Sequence, residues 1–257
     1  MTSPMSADAV SADALSAAVF DEQIHERAVA LMARYPQARS SLLPMLHLVQ
    51  SVQGHVAQQG IEFCAAKLDL TTAEVSAVAS FYSMYKRQPC GEHLVGVCTN
   101  TLCATVGGDD IYKALQTELG GDATPLGQEE TCGEPGSAGS ITLEHVECLA
   151  ACDFGPVMQV NYEYYDNQST ESALELVRSL RAGDRPLPTR GAALTDFRQA
   201  ELQLAGFFDE NAGADDVSAA PQTLRGVALA HENGWQAPAM PDGATELHDL
   251  PTVPEKK

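Results

Sequence analysis

The chain has 257 residues, enough to bury one or two cores, and carries 35 Asp+Glu against 15 Lys+Arg for a formal net charge of -20. Such a balance supplies no basic face to displace counterions from nucleic acid or to settle on an anionic lipid surface, so neither is expected as a partner. No apolar run approaches the roughly 20 residues needed to cross a bilayer, so no direct membrane insertion is expected.

The opening "MTSPMSADAVSADALSAAVF" is Ala/Ser-rich but lacks a basic start and carries Asp8 and Asp13, so residues 1–20 read as a flexible or weakly helical extension rather than an export signal. Seven cysteines, an odd number, argue against a disulfide framework and for a reducing compartment.

Residues 21–90 read as a helical bundle. In "SSLLPMLHLVQSVQGHV", Leu42, Met45, Leu46, Val49 and Val52 recur at helical spacing, with Pro44 in a first turn. Thr71 and Glu74 match a capping box, and Val75, Val78, Ala79, Tyr82 and Tyr85 follow on one face.

Residues 91–185 change period. "HLVGVC" is a short strand, "DDIYKALQTELGG" a helix capped by Asp109, and "SITLEHVEC" a second, imperfectly alternating strand. "VMQVNYEYYD" reads as a hairpin, and "ESALELVRSL" as a helix with Leu174, Val177 and Leu180 on one side. Between the first helix and second strand, "GDATPLGQEETCGEPGSAG" reads as a surface loop. The order of strand, helix, three strands and helix predicts a mixed sheet with helices packed on it. Seven of the 14 prolines fall after residue 185, so residues 186–257 read as an extended, acidic, Pro-rich tail, a candidate arm for docking on a partner.

The chemistry lies in two cysteine pairs, each directly after a strand. Cys98 and Cys103 stand in "VCTNTLCATVGG", and Cys148 and Cys152 in "VECLAACDFGPVMQV". Strands 93–98 and 141–147 side by side would bring both loops to one edge and gather four soft donors, a set that suits zinc or an iron–sulfur cluster. The longer first loop, with Gly107, Gly108 and Gly155 nearby, suits a two-iron core better than a tight zinc knuckle. Neither the plant-type ferredoxin spacing nor a C-x-x-C redox motif is present.

Of the other thiols, Cys64 reads as a core residue and Cys90 and Cys132 as loop thiols, with Cys132 the one placed to substitute for a lost ligand. The histidines read as surface or interface residues, and "CGEPGSAG" lacks the context of a dinucleotide site. No NADH-binding or bond-making site is therefore expected in this chain, and no catalytic residue.

"CTNTLC" with "VECLAACDFGPVMQVN" and a following "YY", preceded by "ARYPQARSSLLPMLHLVQ" and "SAVASFYSMY", resembles the thioredoxin-like [2Fe–2S] ferredoxin family over about residues 28–182. The loop around Cys132 and the segment after 186 depart from that pattern. The resemblance implies an amino-terminal helical bundle, then a thioredoxin-like mixed-sheet domain holding one [2Fe–2S] cluster on Cys98, Cys103, Cys148 and Cys152. It also implies an electron-transfer subunit of proton-pumping NADH:quinone oxidoreductase, respiratory complex I, in the peripheral arm on the cytoplasmic side of the membrane. FMN and NADH are then expected on a partner subunit, with other iron–sulfur subunits as neighbours. The alternatives are the equivalent subunit of an NAD-linked formate dehydrogenase or bidirectional hydrogenase, a stand-alone thioredoxin-like ferredoxin, and a structural zinc protein.

Overall fold

The structure, a computed structural model, describes residues 19–208, 221–237 and 239. The expected extension over residues 1–20 lies outside the described residues except for Val19 and Phe20, whose ring is buried against Phe63. The chain forms two compact units, Met1–Ser218 and Ala219–Lys257.

The first unit opens with a helical bundle made of α1 (Glu22–Met32), α2 (Leu42–Gln53), α3 (Gln58–Leu68) and α4 (Thr72–Phe81), with a 3-10 turn at Ala38–Ser41. Its core gathers Leu31, Met45, Leu46, Val49, Phe63, Cys64 and Val75, the residues that helical spacing places inward. Gly60 lets α3 approach α2, since a Cβ there would stand 2.9 Å from the Val49 side chain. Thr71 and Glu74 form the capping box at the start of α4. That helix stops at Phe81, one turn earlier than the Tyr82 and Tyr85 periodicity suggests, because the following segment is held by other bonds. The buried Gln50 receives the Lys86 backbone N–H at 2.7 Å and donates to the Met84 carbonyl at 2.9 Å, while the Tyr85 hydroxyl donates to the Leu43 carbonyl.

The second module is a five-stranded mixed sheet in the order β2-β3-β1-β4-β5. Its strands are β1 (His93–Cys98), β2 (Glu130–Cys132), β3 (Ile141–Val146), β4 (Met158–Val160) and β5 (Glu163–Tyr165). β1 and β3 run parallel, and the other pairings are antiparallel. A short helix, α5 (Thr101–Thr105), precedes α6 (Gly108–Gly120), and α7 (Thr170–Ala182) follows β5. Val95, Val97, Ile141, Leu143, Met158 and Val160 project toward α6 and α7, where Ile111, Leu115, Val177 and Leu180 meet them. The architecture is a helical bundle followed by a thioredoxin-like mixed sheet.

Several local expectations differ from the structure. Asp109 lies in the first turn of α6, whose N-cap is Gly107, because α6 begins two residues earlier than a cap at Asp109 requires. On α7 the buried stripe is Ala173, Leu176, Val177 and Leu180, with Leu174 at its margin. The acidic loop contains the edge strand β2, too short and too polar to show alternation, and it buries Leu126. The β4–β5 turn places both Asn161 and Tyr162 at positive φ.

The largest difference concerns the segment after residue 186. Leu194 enters the sheet core, Ala205 enters the bundle core, and α8 (Phe197–Leu204) packs along α2. The reason is the second face of the sheet. Leu94 points away from α6 and α7, and Phe197 covers it together with Cys90. Asn161 donates to the Thr195 carbonyl at 2.7 Å, and the fully buried Glu201 accepts from Tyr162 at 2.9 Å and meets His47 at 2.6 Å. Scattered apolar residues among prolines thus supply the lid of a core whose other walls lie far away in sequence. In the second unit, α9 (Pro221–Glu232) stands where the sequence reading has extended chain, with Leu224, Val227 and Trp235 exposed. Residues 209–220, 238 and 240–257 of the expected tail lie outside the described residues.

Candidate metal centre

Cys98 is the last residue of β1 and stands opposite Val146, the last residue of β3. Cys103 and Cys148 follow these strand ends by a few residues, so parallel pairing sends both cysteine loops out at one end of the sheet. The two strand ends are fixed by backbone bonds: Cys98 N–H donates to Val157 O and Thr99 N–H to Val146 O, each at 3.0 Å. Cys103 sits in α5, and Cys152 opens a 3-10 turn running to Phe154.

The four thiols differ in exposure but act on one another. Cys98 and Cys103 are buried in a small cluster with Leu149, Ala151 and Val157, whereas Cys148 and Cys152 are exposed. Burial first, then a hydrogen bond with Cys98, pushes the Cys103 thiol up to about 11, and Cys152 adds to the rise. Cys152 is also raised, by desolvation and then by Cys148 and Cys98. Cys103 and Cys152, raised in this way, give up their protons more readily when a cation compensates the charge, as bound iron or zinc does.

The backbone is shaped for such a group. A Cβ on Gly155 would stand 3.3 Å from Cys103 Sγ, and one on Gly108 only 2.5 Å from the Cys98 carbonyl oxygen. Ala150, at a φ of 55°, turns the loop so that its N–H reaches Cys148 Sγ at 3.3 Å, and N–H groups aimed at sulfur stabilise thiolate. Among the described residues, no three His, Cys, Asp or Glu side chains are gathered tightly enough for a single metal ion. The arrangement is two thiol pairs, one on each loop, a donor set that fits a two-iron cluster.

The other thiols lie elsewhere. Cys64 is fully buried in the bundle, and burial pushes it up to about 12. Cys90 is buried between Leu94 and Phe197 rather than in a loop open to solvent, and burial pushes it up to about 12 as well. Cys132 pairs with Ile141 at the opposite end of β3 from Val146, about 16 Å of strand away, so it cannot replace a lost ligand as expected from its place between the pairs. His93 and His47 are interior, not surface, residues: His93 is 1% exposed, and His47 is paired with Glu201.

Sequence reasoning missed the shell around the loops. The Tyr164 hydroxyl donates to the Leu149 carbonyl at 3.0 Å, and the Asn167 and Gln168 N–H groups hold the Phe154 and Pro156 carbonyls at 2.8 and 2.9 Å. Arg190 lies over the Tyr164 and Phe154 rings, 4.1 and 5.3 Å from their centroids. The "YY" in the second strand of the hairpin was the available signal for Tyr164, whereas nothing near Arg190 in sequence points to it. Beside Cys148 opens a cleft of about 930 Å³, lined in part by Met84, Lys86, Glu144 and His145. Lys86 and Glu144 form a buried ion pair there, in which burial pushes the Glu144 carboxyl up against the opposing pull of Lys86.

Comparison with known proteins agrees with this geometry. Residues 28–181 match the model of the thioredoxin-like [2Fe–2S] ferredoxins. A protein of Mycobacterium tuberculosis named as the E subunit of NADH-quinone oxidoreductase is 51% identical over 216 residues, which is 84% of this chain and 82% of that one. A protein of Rhizobium meliloti, named as the E 2 subunit of NADH-quinone oxidoreductase, is 32% identical over 173 residues, 66% of this chain and 96% of that one. The crystal structure of an NAD+-reducing [NiFe]-hydrogenase in the air-oxidized state aligns with a TM-score of 0.46 and 18% identity, covering 55% of this chain and 23% of that one, a likeness too weak to carry an argument. The chain belongs to the thioredoxin-like [2Fe–2S] ferredoxin family, alongside the oxidoreductase subunits that it resembles over most of its length.

Proposed function

We propose that the chain is the electron-transfer subunit of an NADH-quinone oxidoreductase, holding one [2Fe–2S] cluster on Cys98, Cys103, Cys148 and Cys152 and exchanging single electrons with the flavin of a partner subunit. The observation that carries this reading is the convergence of two strand-end cysteine pairs in a chain half identical to a protein of that name. The cluster supplies one-electron chemistry when bound. The chain's residues do the rest: β1 and β3 fix the loop origins, Gly155 leaves free the space beside Cys103 Sγ that a cluster would need, and Leu149, Ala151 and Val157 pack around the buried thiols and would keep water from them. The division of labour puts hydride chemistry, FMN and NADH on the partner, with further iron–sulfur subunits beyond it.

The assembly we infer lies in a peripheral arm on the cytoplasmic side of the membrane; no helix among the described residues is long and apolar enough to cross one. Purification from the native source tests the reading. We expect equal iron and acid-labile sulfide, two of each per chain, and co-purification with a flavoprotein and quinone-linked subunits. Zinc in place of iron contradicts the cluster, and a hydrogenase or formate dehydrogenase as partner contradicts the assembly.

A further inference from the structure

Arg190 lies nine residues beyond the end of the family match at residue 181, yet its side chain reaches back over the cysteine loop. Its guanidinium is held from one side by Asp166 through two bonds, Nε to Oδ2 at 2.9 Å and Nη2 to Oδ1 at 3.1 Å. On the other side it stacks on Tyr164 at 4.1 Å and approaches Phe154 at 5.3 Å. Both rings belong to the cysteine loop's support. Tyr164 donates to the carbonyl of Leu149, the residue next to Cys148, and Phe154 lies two residues after Cys152.

The clamp is well anchored. Arg190 forms an antiparallel bridge with Tyr164, Thr189 N–H donates to Tyr164 O at 2.8 Å, and the Thr189 hydroxyl reaches Asp166 Oδ2 at 3.0 Å. Side-chain exposure is 22% for Arg190 and 7% for Asp166, so the pair is largely withdrawn from the water and salt that would screen it. Such a bidentate, ring-stacked contact suits arginine and not lysine.

We propose that Arg190, with Asp166, is a positioning and charge-setting residue for the cluster: it fixes the loop that carries Cys148 and Cys152 and places a paired charge beside it. The inference rests on the [2Fe–2S] reading above. Reduction adds one electron, taking the diferric core to a mixed ferric–ferrous one and its charge down by one. A cation beside the site favours that electron, and the carboxylate opposes it. Removing either partner therefore unbalances the field in opposite senses.

The test is a reductive titration of the full-length chain carrying its cluster, using dithionite with redox mediators and reading visible circular dichroism and the paramagnetic signal of the reduced state. Arg190→Gln, which leaves Asp166 uncompensated, is expected to lower the midpoint potential. Asp166→Asn, which leaves Arg190 uncompensated, is expected to raise it. Arg190→Lys is expected to stay closer to the parent potential than Arg190→Gln while altering the dichroism, because it keeps the charge and loses the fork. If Arg190→Gln retains no cluster, Asp166→Asn decides alone: a raised midpoint potential supports the proposal, and a lowered or unchanged one overturns it. Shifts of the same sign in Arg190→Gln and Asp166→Asn, or none, overturn the proposal, since a merely structural clamp has no reason to give opposite signs. A parent chain without acid-labile sulfide overturns the cluster reading itself, and that outcome is distinct from a parent whose cluster is present and whose variants do not shift.

Discussion

Cys98 stands opposite Val146 on the last rung of the parallel β1–β3 ladder, so the two cysteine loops leave the sheet together. The room at this rung is limited by Gly108, where a Cβ would meet the Cys98 carbonyl oxygen at 2.5 Å and the Cys103 carbonyl oxygen at 2.9 Å. Both obstacles are backbone and cannot swing away. Gly108→Ala is expected to lower stability by about 1–3 kcal/mol, the usual cost of forcing extra volume into a packed site, and to lower iron retention. Urea unfolding followed by circular dichroism, with iron analysis on the same samples, checks both.

The segment after residue 186 is expected to behave as core and not as tail. Phe197 is 1% exposed, so Phe197→Ala should cost about 3–5 kcal/mol by the same unfolding measurement. Truncation before Pro186 should destabilise the chain for the same reason, by removing Leu194, Phe197 and Ala200, whereas truncation after Phe208 should preserve the cluster. Equal unfolding midpoints for these two truncations would contradict the packing of α8.

Stability should fall on the alkaline side of pH 9. Burial raises Cys64 and Cys90 from an ordinary 9.0 to about 12, so between these values the folded chain keeps protons that the unfolded chain releases. The contribution is complete below pH 9 and is lost as pH rises toward 12, at about 1.4 kcal/mol per pH unit for each thiol. Cys64→Ala should flatten the slope measured between pH 9 and 10.5 by about that amount, whatever it does to the stability at pH 7. An unchanged slope would show that Cys64 does not titrate on unfolding in this range.

Electron entry should require a partner. The full chain, purified without flavoprotein, is expected to accept one electron from dithionite and none from NADH, because a hydride donor needs a two-electron acceptor such as flavin. Anaerobic visible spectra before and after each reductant give the answer. Bleaching by NADH in a sample shown to be free of flavin would contradict the relay role.

What was legible in the sequence was whatever repeats locally. Leu42, Met45, Leu46 and Val49 mark α2 by spacing alone, and the Thr71–Glu74 box marks the start of α4. The cysteine pairs declared themselves because each follows an apolar strand, and parallel pairing of those strands is enough to bring the loops together. Features set by distant partners were not legible. β2 is a strand only because β3 offers it an edge, and α8 is buried only because Leu94, His47 and Tyr162 await it. Tyr85 left its helix for a hydrogen bond to Leu43, a contact that periodicity does not encode. Arg190 has the same character, since its meaning depends on Asp166 and on two rings from other elements.

Which thiols hold the cluster is tested most directly by one comparison. Cys98→Ser, Cys103→Ser, Cys148→Ser and Cys152→Ser are prepared as full-length chains beside Cys132→Ser, and each is assayed for acid-labile sulfide and for the paramagnetic signal after reduction. The first four are expected to lose or strongly perturb the signal, while Cys132→Ser, at the far end of β3, keeps the parent signal and sulfide content. A parent-like signal in Cys148→Ser, or its loss in Cys132→Ser, would contradict the site.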